Sequence, residues 1–269
     1  MIERLIFCLV ALVPAAASAQ TTPKQPTGKW VVDYADKMCV LQRDYGTRTA
    51  PLVLAIRPQP MGDGMGIYVL DAPTRQRGEY VGVKIGFGTT APAVDAQMAT
   101  FDARDLGLRV NETGMDRRDL ERALETNLLT LEARKRLNVS FSVPKMAAAL
   151  KVLDDCVANL LETWGFTRER QAEMAKRPEP LKPEVQYVGP EDYPDEALRA
   201  GESGQNSARY WIDVQGRVSN CTIVETSKSR SLDSTLCRVV KRIRYRPALD
   251  KSGKPMESIG FLRLRWRLG

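Results

Sequence analysis

The chain contains no histidine. That absence removes Ser-His-Asp and Cys-His nucleophilic arrangements and any histidine-ligated zinc site. Aromatic residues are sparse, at 7% of 269, and neither an internal repeat nor a low-complexity tract is present. Beyond the extreme N-terminus, no apolar run approaches the ~20 residues that a spanning helix needs. A phosphate-cradling loop is missing as well. Gly62, Gly64 and Gly66 form no G-x-G-x-x-G, no Lys-Ser/Thr pair follows them, and a hairpin turn accounts for them.

One catalytic pattern survives these exclusions. Ser142-Val143-Pro144-Lys145 matches S-x-x-K, and Lys251-Ser252-Gly253 resembles the K-T-G element of penicillin-binding enzymes. The S-D-N element is missing, and the two matches fall in separate parts of the chain. A serine acyl-enzyme on Ser142 is therefore the weak alternative. The main expectation is a protein that is not an enzyme and has no catalytic residue, cofactor or metal site.

The chain opens with a secretory pattern over residues 1–19. Arg4 is followed by an apolar stretch from Leu5 to Val13, then Pro14, and Ala17-Ser18-Ala19 offers a cleavage site before Gln20. The expected destination is the periplasm, and an uncleaved inner-membrane anchor is the rival reading. Cys8 lies in that leader, which leaves Cys39, Cys156, Cys221 and Cys237. An even cysteine count behind an export signal suggests disulfides. Of three pairings, Cys39–Cys156 and Cys221–Cys237 keep each bridge inside one domain.

Residues 28–166 read as an α+β domain of unassigned type. Trp30–Val32, Cys39–Leu41, Leu52–Ile56, Ile67–Leu70 and Tyr80–Val83 are short apolar runs punctuated by Gly, Pro and Asp, as strands are. Phe101 to Arg109 suggests one more strand. Met115 to Leu124 looks helical, with Asp116 as its cap. Leu128 to Val143 is ambiguous, although Val139, Phe141 and Val143 alternate. Pro144 suits a first helical position, and Met146, Ala149, Leu150, Leu153, Val157 and Leu160 form a helical stripe that carries Cys156. Residues 167–190 are charged and marked by Pro178, Pro180, Pro183 and Pro190, which predicts a partly extended linker.

Residues 191–269 change character. Tyr193 to Gly201 reads as a short helix. Tyr210, Ile212 and Val214 alternate into a Gln215-Gly216 turn, and a second arm runs from Val218 to Val224. Leu232, Leu236, Val239, Val240 and Ile243 then fall on one helical stripe, closed at or before Pro247. In the last strand Leu262, Leu264, Trp266 and Leu268 should face a core, while Arg263, Arg265 and Arg267 should face water. With Arg238, Lys241, Arg242, Arg244 and Arg246 they form the main basic feature of a chain of net charge +7. Export argues against nucleic acid as its target; the alternatives are an anionic envelope partner or a solvated face.

Tyr193-Pro194, Ala197-Leu198, Gly201, Asp213, Gly216-Arg217-Val218, Leu232-Asp233 and Arg244-Tyr245-Arg246-Pro247-Ala248, in this order, resemble the C-terminal domain of the TonB family. The resemblance covers about the last third of the chain and implies a small β-β-α-β domain behind the β-rich one. It also implies a function, the capture of a partner segment as an added strand along the last edge, Gly260 to Leu268. The partner-binding residues are then Gly260, Phe261, Leu262, Arg263, Leu264, Arg265, Trp266 and Arg267, with Arg244 and Arg246 beside them, and the outward arginines favour acidic segments. The implied partners are a segment of an outer-membrane receptor or another envelope protein, with peptidoglycan and a second copy of the chain as further candidates. Energy-transducing members keep a histidine-bearing membrane helix and a long spacer. This chain has neither histidine nor a long spacer, so a binding module is favoured over a membrane-anchored transducer.

Overall fold

The computed structural model describes residues 22–35, 37–73, 78–88, 92–103 and 106–268. The expected leader, residues 1–19, and its expected cleavage site lie outside those residues. Among the described residues, no helix is long and apolar enough to cross a membrane.

Nine strands form the first sheet: β1 (Val31–Ala35), β2 (Met38–Asp44), β3 (Leu52–Pro58), β4 (Gly64–Asp71), β5 (Glu79–Gly86), β6 (Val94–Ala103), β7 (Leu108–Asp116), β8 (Leu128–Ala133) and β9 (Leu137–Ser142). Helix α1 (Arg117–Thr126) follows β7, and α2 (Met146–Thr163) follows β9. The strand order is β1-β2-β3-β4-β7-β6-β5-β8-β9, with every pairing antiparallel. The sheet curls into a half-barrel because its inner positions, such as Leu41, Leu54, Ile67, Ile85 and Leu131, pack on the apolar stripes of α1 and α2 in one buried cluster. Its two ends approach each other. Tyr45 donates to the Ser142 carbonyl at 2.8 Å, and Trp30 and Arg43 both donate to the Pro144 carbonyl at 2.9 Å. Cys39 on β2 is bonded to Cys156 on α2, which fixes the helix to the sheet.

Several sequence expectations are corrected here. Phe101 to Arg109 is not one strand: it holds the end of β6 and the start of β7, joined by a turn. The ambiguous stretch after Leu128 is a hairpin, β8 to β9. Asp116 precedes α1 but its side chain makes no capping bond. Helix α2 starts at Met146, so Pro144 lies in the turn before it, and Lys145 takes a left-handed conformation with φ 62°.

The charged segment is helical at its start and extended after it. It forms α3 (Arg168–Glu173), β10 (Met174–Lys176), β11 (Glu179–Pro180) and two 3-10 turns, Glu184–Tyr187 and Pro190–Asp192. The C-terminal part then supplies α4 (Asp195–Ala200), β12 (Gly204–Ile212), β13 (Val218–Glu225), α5 (Arg230–Val240), β14 (Tyr245–Arg246), β15 (Ala248–Asp250), β16 (Pro255–Met256) and β17 (Ser258–Trp266). Strand β10 pairs with β15 and β11 with β14, so the connecting segment is stitched to the domain that follows it. Strands β13, β12 and β17 form a sheet in that order. Helix α5 covers one face through Leu236 and Val240, joined by Ile243 just beyond its end, against Ala208, Tyr210 and Leu262, and the Cys221–Cys237 bridge ties it to β13.

Candidate functional site

Among the described residues β17 pairs only with β12, continuously from Gly204↔Trp266 to Ile212↔Ser258. Its other edge lines a cleft of about 920 Å³. The opposite wall and floor come from the outer face of β4, β6 and β7, and Glu184 and Val185 of the first 3-10 turn also reach it. Five consecutive residues of β17, Phe261 to Arg265, line the cleft, so it is the strand's rim as well as a side-chain face that looks into it.

Alternation divides the strand between two neighbours. Leu262 joins the core under α5, while Trp266 packs with Leu232 and Ala197 and meets Tyr193 edge-on at 5.7 Å. Gly260 lies under the Tyr210 ring, where a Cβ would come within 2.2 Å of a ring carbon, so only glycine fits. The odd-numbered residues turn the other way. Ile259 and Phe261 enter the core cluster of the half-barrel, and Phe261 stacks on Trp164 with ring centroids 6.0 Å apart.

The arginines therefore do not face water as the alternation suggested, because the half-barrel occupies that side. Arg263 donates to the Tyr68 hydroxyl at 2.9 Å, and Tyr68 donates to Glu112 at 3.1 Å. Arg265 pairs with Glu112 and donates to Gln205 at 2.8 Å. Arg267 lies over the Tyr80 ring at 3.9 Å. Glu225 on β13 takes Arg57 of the half-barrel at 2.8 Å, accepts from Ser207 at 2.8 Å, and lies 3.8 Å from Arg263. Burial pushes the Glu225 carboxyl up, but the Arg57 bond and charge, with Ser207 and Arg263, outweigh it and hold it below its ordinary 4.5. Burial pulls the Arg263 guanidinium down from its ordinary value, opposed by Tyr68 and Glu225. Leu268 lies beyond the strand and is exposed, against the expectation that it faces a core.

The remaining basic residues are elsewhere. Arg244 donates to the Lys241 and Ile243 carbonyls, and Arg246 pairs with Glu179 on β11 at 3.2 Å. Neither lines the cleft. Arg242 anchors buried Asp192 at 2.6 Å. The S-x-x-K residues sit at the end of β9, and Lys251 lies in the β15–β16 turn of the other domain. No group of three or more His, Cys, Asp or Glu side chains among the described residues could hold a metal.

A polar chain links the cleft to the C-terminal core. The Tyr210 and Tyr245 hydroxyls share a bond of 2.6 Å, and Tyr245 donates to Glu184 at 2.9 Å. Burial raises the Glu184 carboxyl above its ordinary value, and the Tyr245 bond only partly opposes this. Burial raises both tyrosines as well.

The sequence reading missed the far wall: Tyr68, Gln97, Glu112, Gly114 and Asp116. Its signal was the outward row of β4 and β7, where Gly66, Tyr68, Glu112 and Gly114 alternate with buried residues. That row is too polar and too glycine-rich to be a core and too sparsely charged to be an ordinary solvated face.

The C-terminal domain is thus a small three-stranded sheet with one face covered by a helix and β17 as its terminal edge strand. The family model of the Gram-negative bacterial TonB protein C-terminal matches residues 190–268, so this chain carries a TonB C-terminal domain behind its strand-rich half-barrel. Among solved structures, the solution NMR structure of the Pseudomonas aeruginosa TonB CTD is similar over 34% of this chain and 86% of that one, at 20% identity and a TM-score of 0.28. No curated protein matches.

Proposed function

We propose that this is an exported periplasmic envelope protein that captures an extended segment of a partner on the free rim of β17. The observation that carries the reading is the pairing pattern: β17 has nine register partners on β12 and, among the described residues, no strand on its other side, where a cleft opens. Unpaired backbone donors and acceptors on such a rim are satisfied by an incoming strand. The TonB C-terminal domain supports an envelope role, and TonB-type chemistry favours outer-membrane receptor segments as partners. Exchange of backbone amides tests it. Peptides tiled over the periplasmic segments of such receptors should slow exchange in Phe261 to Trp266 when they bind. Binding that leaves those amides unchanged overturns the reading.

A further inference from the structure

We infer that the capture site is shared between the domains, and that it selects a short extended segment with a bulky apolar side chain over Gly114 and a lysine or arginine at Asp116. The inference rests on the capture reading above and adds to it the half-barrel as a second, discriminating wall.

The geometry comes first. The rim of β17 that faces the cleft spans Phe261 to Arg265, which at ~3.3 Å per residue accommodates about five residues of guest strand. The half-barrel already reaches this rim, since the Gln59 side-chain amide donates to the Phe261 carbonyl at 3.4 Å. A guest strand would lie along the rim with one row of side chains pointing at β4, β6 and β7. That floor is hollow at Gly114, where an added Cβ would meet nothing closer than the Met65 carbonyl at 3.5 Å. The hollow takes a large side chain from the guest.

Charge then chooses the ends. The cleft's arginines are all engaged within the protein: Arg57 by Glu225, Arg263 by Tyr68 and Glu225, and Arg265 by Glu112 and Gln205. They are not available to attract acidic segments. Asp119 is paired with Arg122, and Glu184 is held by Tyr245. Asp116 lines the same cleft and is exposed, and its side chain has no hydrogen bond or ion pair among the described residues. The unmet charge in the cleft is negative, so a complementary guest is basic there.

Two capped heptapeptides test this on the full chain: Lys-Val-Thr-Ile-Thr-Val-Lys, and the same peptide with glutamates for lysines. Fluorescence anisotropy reads the affinity and amide exchange reads the position. The lysine peptide should bind about fivefold more tightly, the scale of one partly exposed ion pair. Asp116→Asn should remove that preference, and Asp116→Lys should reverse it. Gly114→Val fills the hollow and should weaken both peptides by about tenfold or more through a built-in clash, with an unchanged melting temperature. Asp116 is exposed, so its variants carry the test even if Gly114→Val folds poorly. If the β17 amides are protected but neither position matters, rim pairing stands and the shared site is overturned. If no peptide protects β17, both readings fall. A peptidoglycan fragment that competes for the cleft without protecting β17 also overturns the inference.

Discussion

The half-barrel and the C-terminal domain both bury the faces of a sheet, but with different degrees of self-sufficiency. The half-barrel packs its inner face on its own helices in one large apolar cluster. The three-stranded sheet buries one face under α5 and leaves the other to a neighbour. That second face is apolar at Val224, Ile259 and Phe261, which join the half-barrel core, and charged at Arg263 and Arg265, which find carboxylate or hydroxyl partners there. A face of this mixture is satisfied only by a specific counterpart, since buried charges must be paired. The C-terminal domain therefore depends on the half-barrel more than the half-barrel depends on it.

The disulfides should show the largest difference. Replacing Cys39 and Cys156 by serine opens a loop of 117 residues and should cost ~5 kcal/mol, whereas Cys221 and Cys237 close 16 residues and should cost ~3 kcal/mol. Urea unfolding of the two double variants measures both; equal losses would argue against loop closure as the origin. Next comes the clamp between the domains. Glu225→Ala leaves Arg57 and Arg263 without their shared carboxylate and should cost about 2–3 kcal/mol. The loss should appear as separation of one unfolding transition into two, the C-terminal domain melting first. A single transition at the wild-type position would contradict the dependence argued above.

Acid should sharpen the same contrast. Because Glu225 sits below its ordinary 4.5 when folded, its contribution is fully present above that value and is lost as pH falls through the folded pKa. Calorimetry from pH 6 to pH 3 should therefore show the C-terminal transition falling, with a shallower fall in Glu225→Gln (about that range, by linkage). The smallest effect is at Glu184. Its carboxyl is raised, so the neutral form is favoured and stability is lost as pH rises through its folded value. Glu184→Gln should flatten that dependence while changing overall stability by less than about 1 kcal/mol. A persistent slope would place its origin in another group.

Much of the C-terminal domain was legible in the sequence because its periods are clean. The 3.6-residue stripe of Leu232, Leu236, Val239 and Val240 is α5, and Cys221 and Cys237 pair as the domain logic suggested. The alternation of β17 was also legible, but its meaning was not. A row of arginines opposite a row of leucines signals a solvent face only when nothing else claims that side, and periodicity cannot show the Tyr68 and Glu112 that do. The half-barrel was read more coarsely. Its strands β6 and β7 mix Thr100, Arg109, Asn111 and Thr113 into buried positions, which blurs the apolar signal that marks a strand. Residues 167–190 read as a partly extended linker; what the sequence could not show is where β10 and β11 dock, because so short a strand needs only a few backbone bonds and leaves no periodic signal.

Those two short strands have a mechanical consequence. A pull on a guest laid along β17 would load the β12–β17 ladder in shear, with its nine registered pairs sharing the force. The segment from Met174 to Pro180 cannot pay out as slack without first peeling from β15 and β14. Tension would pass into the half-barrel through a stiff joint, and the molecule would behave under load as a rigid hook rather than a weight on a string.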